Sequence, residues 1–250
     1  GDCWLPEKPS RLISWIALAD VQKKNNQTAM LEQLRASVGK KLLALERDGI
    51  TSLAVVLPAV LGDACGGWDV VARELAVVAQ LATHSFTYGT KQKKTGIKRI
   101  DFALLSGDGS VALGVGQVIG RYTNLARRWG EEPAAKLTPQ IWAQQVSQEA
   151  GMVGCTTKIL DIAQIRAFGM GGVLAVGSGA AHAPVVIVVE YAPVNPVATI
   201  ALIGKGILFD SGGLQIKLGD GMLHMKYDKC GGAAALATCL AVAALKAPVR

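Results

Sequence analysis

Residues 203–217 read IGKGILFDSGGLQIK, and shortly afterwards residues 225–232 read MKYDKCGG. The first segment continues the apolar run 198–203, and an apolar run of that length ending at glycine is typical of a buried strand. Asp210, Asp228 and the lysines near them are therefore expected where a strand ends and loops begin. In open α/β sheets, ligands bind at that edge of the sheet.

The side chains at this strand end suit a divalent cation. Asp210 and Asp228 carry hard oxygen donors, and a lysine amine such as that of Lys205 can bind a metal when the ion displaces its proton. The neighbouring glycines let the backbone pass close to a bound ion or substrate. A solvated, glycine-rich loop with simple Asp–Lys ion pairs explains the spacing equally well, because one glycine-rich strand end is a weak signal.

The complete string resembles the leucyl (cytosol) aminopeptidase family of two-metal exopeptidases. That family carries a GKG-x-x-FDSGG-x-x-IK segment followed by MK-x-D, and residues 204–217 and 225–228 match both segments without a gap. Residues 168–179, FGMGGVLAVGSG, form a second family-like segment upstream. The resemblance covers residues 110–250 well and the preceding part loosely.

The resemblance implies a peptidase site with two divalent ions, Zn or Mn. Asp210 would bridge the two ions, and Lys205 and Asp228 would be further ligands of one of them. A hydroxide activated between the ions would attack the peptide. Lys217 would be the catalytic residue that stabilises the developing oxyanion, a contribution of about 3 kcal/mol. Met225 would line the substrate pocket, although ordinary core packing explains a methionine there equally well.

The expected fold class is α/β, because strands alternate with helices. We predict an N-terminal α/β domain over residues 1–108, a connecting helix over 109–130, and over 131–250 the first part of a mixed-sheet α/β/α aminopeptidase catalytic domain, incomplete at its C-terminus. The family continues with an Asn-Thr-Asp-Ala-Glu-Gly-Arg segment, which is absent from the 250 residues. Either a longer polypeptide supplies that segment, or the chain is a truncated, non-catalytic relative.

Apolar periodicity and breaker residues place the individual elements. Helices are predicted over residues 28–47, 68–82, 111–129, 138–150, 161–168 and from 231 to about 246, and strands over 13–18, 52–57, 97–105, 156–160, 173–176, 184–191 and 198–203. Thr28 and Thr138 are the expected N-terminal caps of two helices. Gly114, Gly116 and Gly120 weaken the connecting helix, which predicts either a broken helix or a tightly packed one.

Composition and charge narrow the classes of function. The formal net charge is +7, but the basic residues are scattered without interleaved aromatic residues, so a solvated basic face is favoured over a nucleic-acid groove. No apolar run reaches the ~18 residues that span a bilayer, so we expect no membrane partner. The five cysteines include no CxxC pair, which favours a reducing compartment. We expect a cytoplasmic protein, with an organelle such as the mitochondrion left open.

The expected function is that of a metal-dependent aminopeptidase, which releases leucine-like N-terminal residues from peptides. The resemblance suggests a homo-oligomer, a hexamer in this family. The alternative is a catalytically inactive, aminopeptidase-like scaffold subunit, and a basic nucleic-acid-binding module is a third, less favoured class.

Two features depart from the family pattern. Lys229 follows Asp228 where an apolar residue is usual, and residues 129–136 read WGEEPAAK where an Asn-x-Pro-Pro-Asn turn is usual.

Overall fold

The computed structural model describes residues 26–88, 96–104 and 107–250, together with the backbone of two short strands near the N-terminus. The chain divides into two compact units, Gly1–Gly120 and Arg121–Arg250. Most of the strand predicted over residues 13–18 lies outside the described residues. The α/β class is confirmed, whereas the three-part division at residues 108 and 130 stays a prediction.

The first unit combines paired strands with covering helices. Its elements are β1 (Asp2–Leu5), β2 (Arg11–Ser14), α1 (Gln27–Arg47), β3 (Ser52–Leu57), α2 (Val60–Ala64), α3 (Trp68–Ala82), β4 (Arg99–Leu104) and the first part of α4 (Ser110–Glu131). β1 and β2 are antiparallel, whereas β3 and β4 are parallel, with Ser52 opposite Arg99. The core of this unit lies where α1 and α3 pack over β3 and β4.

Helix α1 shows how the pattern of apolar residues produces this core. Its buried residues Leu34, Val38 and Leu42 recur every fourth position, so they form one face of the helix. The predicted cap was wrong by two residues. Asn26, and not Thr28, caps the helix, because the Asn26 side chain accepts a hydrogen bond from Ala29 N at 3.2 Å. The first helical turn therefore begins earlier than the sequence predicted.

Helix α4 is continuous from Ser110 to Glu131, and its glycines permit close packing rather than a break. A Cβ on Gly116 would lie 2.2 Å from Arg73 O, and a Cβ on Gly120 would lie 2.5 Å from Gln80 Cβ. No side chain fits at either position. Of the two predicted alternatives for this segment, the tightly packed helix is therefore confirmed.

The second unit also mixes helices with paired strands. It contains the rest of α4, α5 (Pro139–Met152), β5 (Thr156–Leu160), α6 (Ile162–Ala167), α7 (Gly171–Gly177), β6 (Val186–Glu190), α8 (Gly219–Leu223), a 3-10 turn (Met225–Tyr227) and α9 (Cys230–Ala244). β5 and β6 are antiparallel, with Thr156 opposite Glu190. Large fully buried side chains include Trp129, Val146 and Leu240, which come from α4, α5 and α9.

The strand predicted over residues 173–176 is wrong, because these residues lie within α7. Val173 N and Leu174 N both donate hydrogen bonds to Met170 O, at 3.1 and 3.2 Å, which begins a helical turn. A short apolar run bounded by glycines does not distinguish a strand from a helix by its periodicity. None of the α7 residues is buried, so core packing does not decide between the two.

The buried strand predicted over residues 198–203 is also wrong. Ala198 forms an isolated parallel bridge with Val249, and Ile200 N donates a hydrogen bond to Arg250 O at 2.6 Å. Beyond this contact the run is exposed, and Ile203 is 97 % exposed. A strand requires a partner for its backbone groups, and the described residues provide one only at the beginning of the run.

Among the residues that the structure describes, no helix is both long enough and apolar enough to cross a bilayer.

The predicted helix starting at residue 138 is confirmed, since Thr138 Oγ1 accepts a hydrogen bond from Ile141 N at 3.3 Å and Pro139 occupies the first helical position. Proline is favoured there because its missing N–H would have no partner within the helix.

The Thr138 cap yields a stability prediction. Thr138→Ala removes the acceptor for Ile141 N, and we expect the free energy of unfolding to fall by about 1 kcal/mol. Thr138→Ser keeps a hydroxyl oxygen at the cap and is the matched control, expected to stay close to the wild type. Chemical denaturation monitored by circular dichroism measures both variants. Equal stability of the alanine variant and the wild type would show that this cap does not stabilise α5.

Candidate functional site

The candidate site is assembled by a contact between glycine backbones. Gly232 N, in the first turn of α9, donates a hydrogen bond to Lys205 O at 2.6 Å. A Cβ on Gly204 would lie 2.3 Å from Gly231 O, and a Cβ on Gly232 would lie 3.0 Å from Lys205 O. The two main chains therefore touch where side chains do not fit. This contact brings Lys205 next to the start of α9, which Asp228 closely precedes.

Lys205 and Asp228 form the first ion pair of the site. Lys205 Nζ lies 2.8 Å from Asp228 Oδ2, and the lysine side chain is 55 % exposed whereas the aspartate is 17 % exposed. This contact raises the pKa of Lys205. Asp228 Oδ2 itself is buried and has no well-directed hydrogen bond from any residue that the structure describes. A buried carboxylate oxygen held only by an exposed ammonium group is a suitable ligand for another cation.

Asp210 and Lys217 form the second ion pair, at the two ends of a tight loop. Gly212 adopts a φ of 94°, a conformation that favours glycine, and its N donates to Asp210 Oδ1 at 2.8 Å. Lys217 N returns to Ser211 O at 2.9 Å, and Lys217 Nζ donates to Asp210 Oδ2 at 2.8 Å. The Lys217 ammonium, followed by the Gly212 N–H, holds the pKa of Asp210 below its usual value.

Met225 adjoins the second ion pair. Its Sδ lies 3.1 Å from Lys217 Nζ, and its side chain is half-buried. An open cavity of about 640 Å³ borders the same lysine. The residues that line this cavity are Asp210, Gly212, Gln215, Ile216, Lys217, Leu218 and Gly221. The cavity thus combines one charged pair with apolar side chains, an arrangement that small-molecule sites commonly have.

All five site residues predicted from the sequence lie in this region: four of them form two ion pairs, and Met225 adjoins the second pair. The pairs are close enough to interact, because Lys205 also attracts the Asp210 carboxylate. The structure thus contains the Asp–Lys pairs that the sequence allowed, and the assignment of these residues to a metal site stays a prediction. Residues 26–88, 96–104 and 107–250 contain no group of three or more His, Cys, Asp and Glu side chains that could hold a metal. Two carboxylates and one amine would be part of a metal's ligand set.

Sequence reasoning missed a second charged cluster beside the site. Glu131, at the end of α4, accepts hydrogen bonds from Lys226 Nζ at 2.9 Å and from Tyr227 OH at 3.1 Å. The Lys226 ammonium lowers the pKa of Glu131. Lys229 is fully buried, and its Nζ donates to Lys226 O. The only signal in the sequence was that both Glu131 and Lys229 depart from the family pattern.

The Asp210–Lys217 pair gives a prediction about titration. Because the pKa of Asp210 is lowered, its carboxylate should titrate below the ordinary aspartate value of about 3.9. Lys217→Met should move the midpoint of Asp210 upward, since the ammonium that stabilises the charged form is gone. The side-chain carboxyl carbon of Asp210, followed by NMR as a function of pH in metal-free protein, reports this midpoint. A wild-type midpoint at or above about 3.9 would contradict the ion pair.

Known proteins are similar to this chain in both sequence and fold. The family model described as the cytosol aminopeptidase family, catalytic domain, matches residues 124–250. A probable cytosol aminopeptidase of Stenotrophomonas maltophilia is 33% identical over 219 residues, which is 87% of this chain and 44% of that protein. The chain therefore spans about half the length of the curated relatives it matches.

Two solved structures illustrate the likeness in fold. The bottromycin maturation enzyme BotP in complex with Mn superposes with a TM-score of 0.80 at 24% identity, covering 100% of this chain and 51% of that one. A cytosol aminopeptidase of Coxiella burnetii superposes with a TM-score of 0.74 at 22% identity, covering 100% and 49%. The family match extends over just over half of the 250 residues. On this evidence the chain belongs to the cytosol aminopeptidase family.

Proposed function

We propose that the polypeptide carrying this chain is a metal-dependent aminopeptidase, which releases N-terminal residues from peptides. The observation that carries the proposal is that the Lys205–Asp228 and Lys217–Asp210 pairs lie close enough for Lys205 to attract Asp210 as well. Family membership supports the reaction class. A leucine-like preference, a homo-oligomer such as a hexamer and a cytoplasmic location are parts of the same proposal that rest on the resemblance and on the names of the relatives.

The donor atoms present suit divalent cations such as Zn or Mn, two of them by resemblance. Asp210 and Asp228 would contribute carboxylate oxygens, and Lys205 would contribute its amine after losing a proton. The buried, poorly satisfied Asp228 Oδ2 supports this assignment. So does the neighbour BotP, which shares the fold and was solved in complex with Mn. Zinc takes about four ligands, so other residues would have to complete the set.

In this proposal the chain's own residues bind the substrate and stabilise charge. Dications held by these residues would supply polarisation of the scissile carbonyl and of water. Lys217 is paired with Asp210 in the structure, and it can donate to a developing oxyanion once that carboxylate has another cationic partner. One hydrogen-bond donor to an oxyanion contributes about 3 kcal/mol to the stability of a transition state.

The cavity next to Lys217 supports an apolar substrate group. Ile216 and Leu218 provide apolar lining, and Met225 reaches the same lysine through its sulfur. A volume of about 640 Å³ is large enough for a leucine-like side chain together with part of the peptide. The first residue of the substrate would then lie with its side chain in the cavity and its reacting carbonyl near Lys217.

The experiment compares two substitutions of the same kind in the complete polypeptide. Asp210→Asn should abolish hydrolysis of a leucine amide and weaken Mn²⁺ binding, because a carboxylate that would hold the metal is lost. Asp220→Asn, at an exposed position of α8 outside the site, is the matched control and should leave both unchanged. Lys217→Met should instead retain or strengthen metal binding, because the ammonium group that competes for Asp210 is gone, and it should lower kcat by about 100- to 1,000-fold.

The readouts are steady-state kinetics and calorimetric titration with Mn²⁺. Full activity of Asp210→Asn would reject the proposed site. A wild-type polypeptide that binds no Mn²⁺ and hydrolyses no leucine amide would favour the inactive scaffold instead. Loss of metal binding in Lys217→Met would contradict the separation of roles between the ligands and the oxyanion donor.

A further inference from the structure

One carboxylate contacts both side chains in the middle of the turn that links Met225 to Asp228. Glu131 Oε2 accepts a hydrogen bond from Lys226 Nζ at 2.9 Å, and both Glu131 oxygens lie 3.1 Å from Tyr227 OH. Lys226 and Tyr227 are the two residues between Met225 and Asp228. Lys226 Nζ also lies 4.7 Å from the centroid of the Tyr227 ring, so the two side chains are mutually attracted. Glu131 therefore fixes both of the intervening side chains.

Lys229 holds the same turn from the protein interior. It is fully buried, and its Nζ donates a hydrogen bond to Lys226 O. Asp228 lies between these two lysines in the sequence, so the chain is anchored on both sides of it. Burying an ammonium group is costly without a partner. The Lys226 carbonyl provides that partner, and the Glu131 carboxylate attracts the same ammonium from α4.

The end of α4 and the start of α9 are in contact where this network lies. A Cβ on Gly130 would lie only 3.0 Å from Cys230 Sγ, so the two helix ends touch. Glu131 follows Gly130, and Lys229 precedes Cys230. The two departures from the family pattern noted in the sequence thus meet in space, with opposite charges.

The ammonium groups of Lys226 and Lys229 lie close in sequence to Asp228, and this network gives each of them a partner. Lys226 and Lys229 carry ammonium groups close in sequence to a proposed metal ligand, and unpaired ammonium groups there would repel a dication. Glu131 pairs with Lys226, and the Lys226 carbonyl holds Lys229. Both cations are therefore directed to partners of their own.

We propose that Glu131, Lys226 and Lys229 are positioning residues, which fix the turn between Met225 and Asp228 and keep two ammonium groups away from the proposed metal ligand. This inference rests on the proposed function for the identity of the ligand that Asp228 binds. Glu131 acts through the turn, and it does not touch the substrate. Its loss frees the Lys226 ammonium and loosens the turn at the same time.

The test measures Mn²⁺ affinity by calorimetry and backbone amide hydrogen exchange at residues 225–229 in the metal-free protein. Glu131→Gln should weaken Mn²⁺ binding at least about tenfold, as expected for a residue that supports a ligand, and should accelerate exchange in the turn. Adding Lys226→Met to Glu131→Gln should restore part of the affinity, because the released cation is gone. Glu46→Gln, on α1 of the other unit, is the control and should change neither readout.

The outcomes separate this inference from the proposed function. Unchanged Mn²⁺ affinity and unchanged exchange in Glu131→Gln would overturn the positioning role, whether or not the polypeptide is a peptidase. A lower melting temperature with unchanged affinity would also overturn it, since a purely structural residue gives that result. A wild-type protein that does not bind Mn²⁺ would contradict the proposed function. In that case the hydrogen-exchange measurement still tests the positioning role, and unchanged exchange in Glu131→Gln would contradict it.

Discussion

The close contact between Gly204 and the pair Gly231–Gly232 is the constraint on which the candidate site depends. Backbone atoms fill the space that a Cβ would need, and Gly232 N donates to Lys205 O. This contact joins the end of an apolar run to the first turn of α9. Any side chain there would separate the two segments, and Lys205 would no longer reach Asp228. Glycine is thus required at this position for close approach, and not for turn formation.

Two ion pairs hold the side chains of the candidate site in place once the glycine contact has brought the two segments together. Each proposed carboxylate ligand, Asp210 or Asp228, is paired with one lysine at 2.8 Å. Each of these two carboxylates is balanced by one ammonium group, and a dication would take the place of the ammonium charge. Metal binding through an amine would release a proton, since the ammonium form has no lone pair to donate. The lysines near Asp228 are paired in a similar way, since Lys226 pairs with Glu131 and Lys229 donates to the Lys226 carbonyl.

Features decided by neighbouring residues, such as helix periodicity and capping, were predictable from the sequence. Features that depend on a distant partner, such as strand pairing and long-range ion pairs, were not. The pattern predicted α3 over Trp68–Ala82 and the Thr138 cap, because periodicity and capping are decided by neighbouring residues. It failed at residues 173–176, where a short apolar run fits helix and strand alike, and at 198–203, where burial requires a partner strand. The Glu131–Lys226 bond joins residues 95 apart, and no local signal marks it.

The central claim is that Asp210 and Asp228 bind a common centre of divalent cations. Anomalous diffraction at the zinc edge, from crystals of the complete polypeptide grown with Zn²⁺, tests this claim most directly. We expect zinc within about 2.2 Å of a carboxylate oxygen of each aspartate, with Lys217 Nζ displaced from Asp210. Zinc bound only elsewhere, with both Asp–Lys pairs still intact, would contradict it.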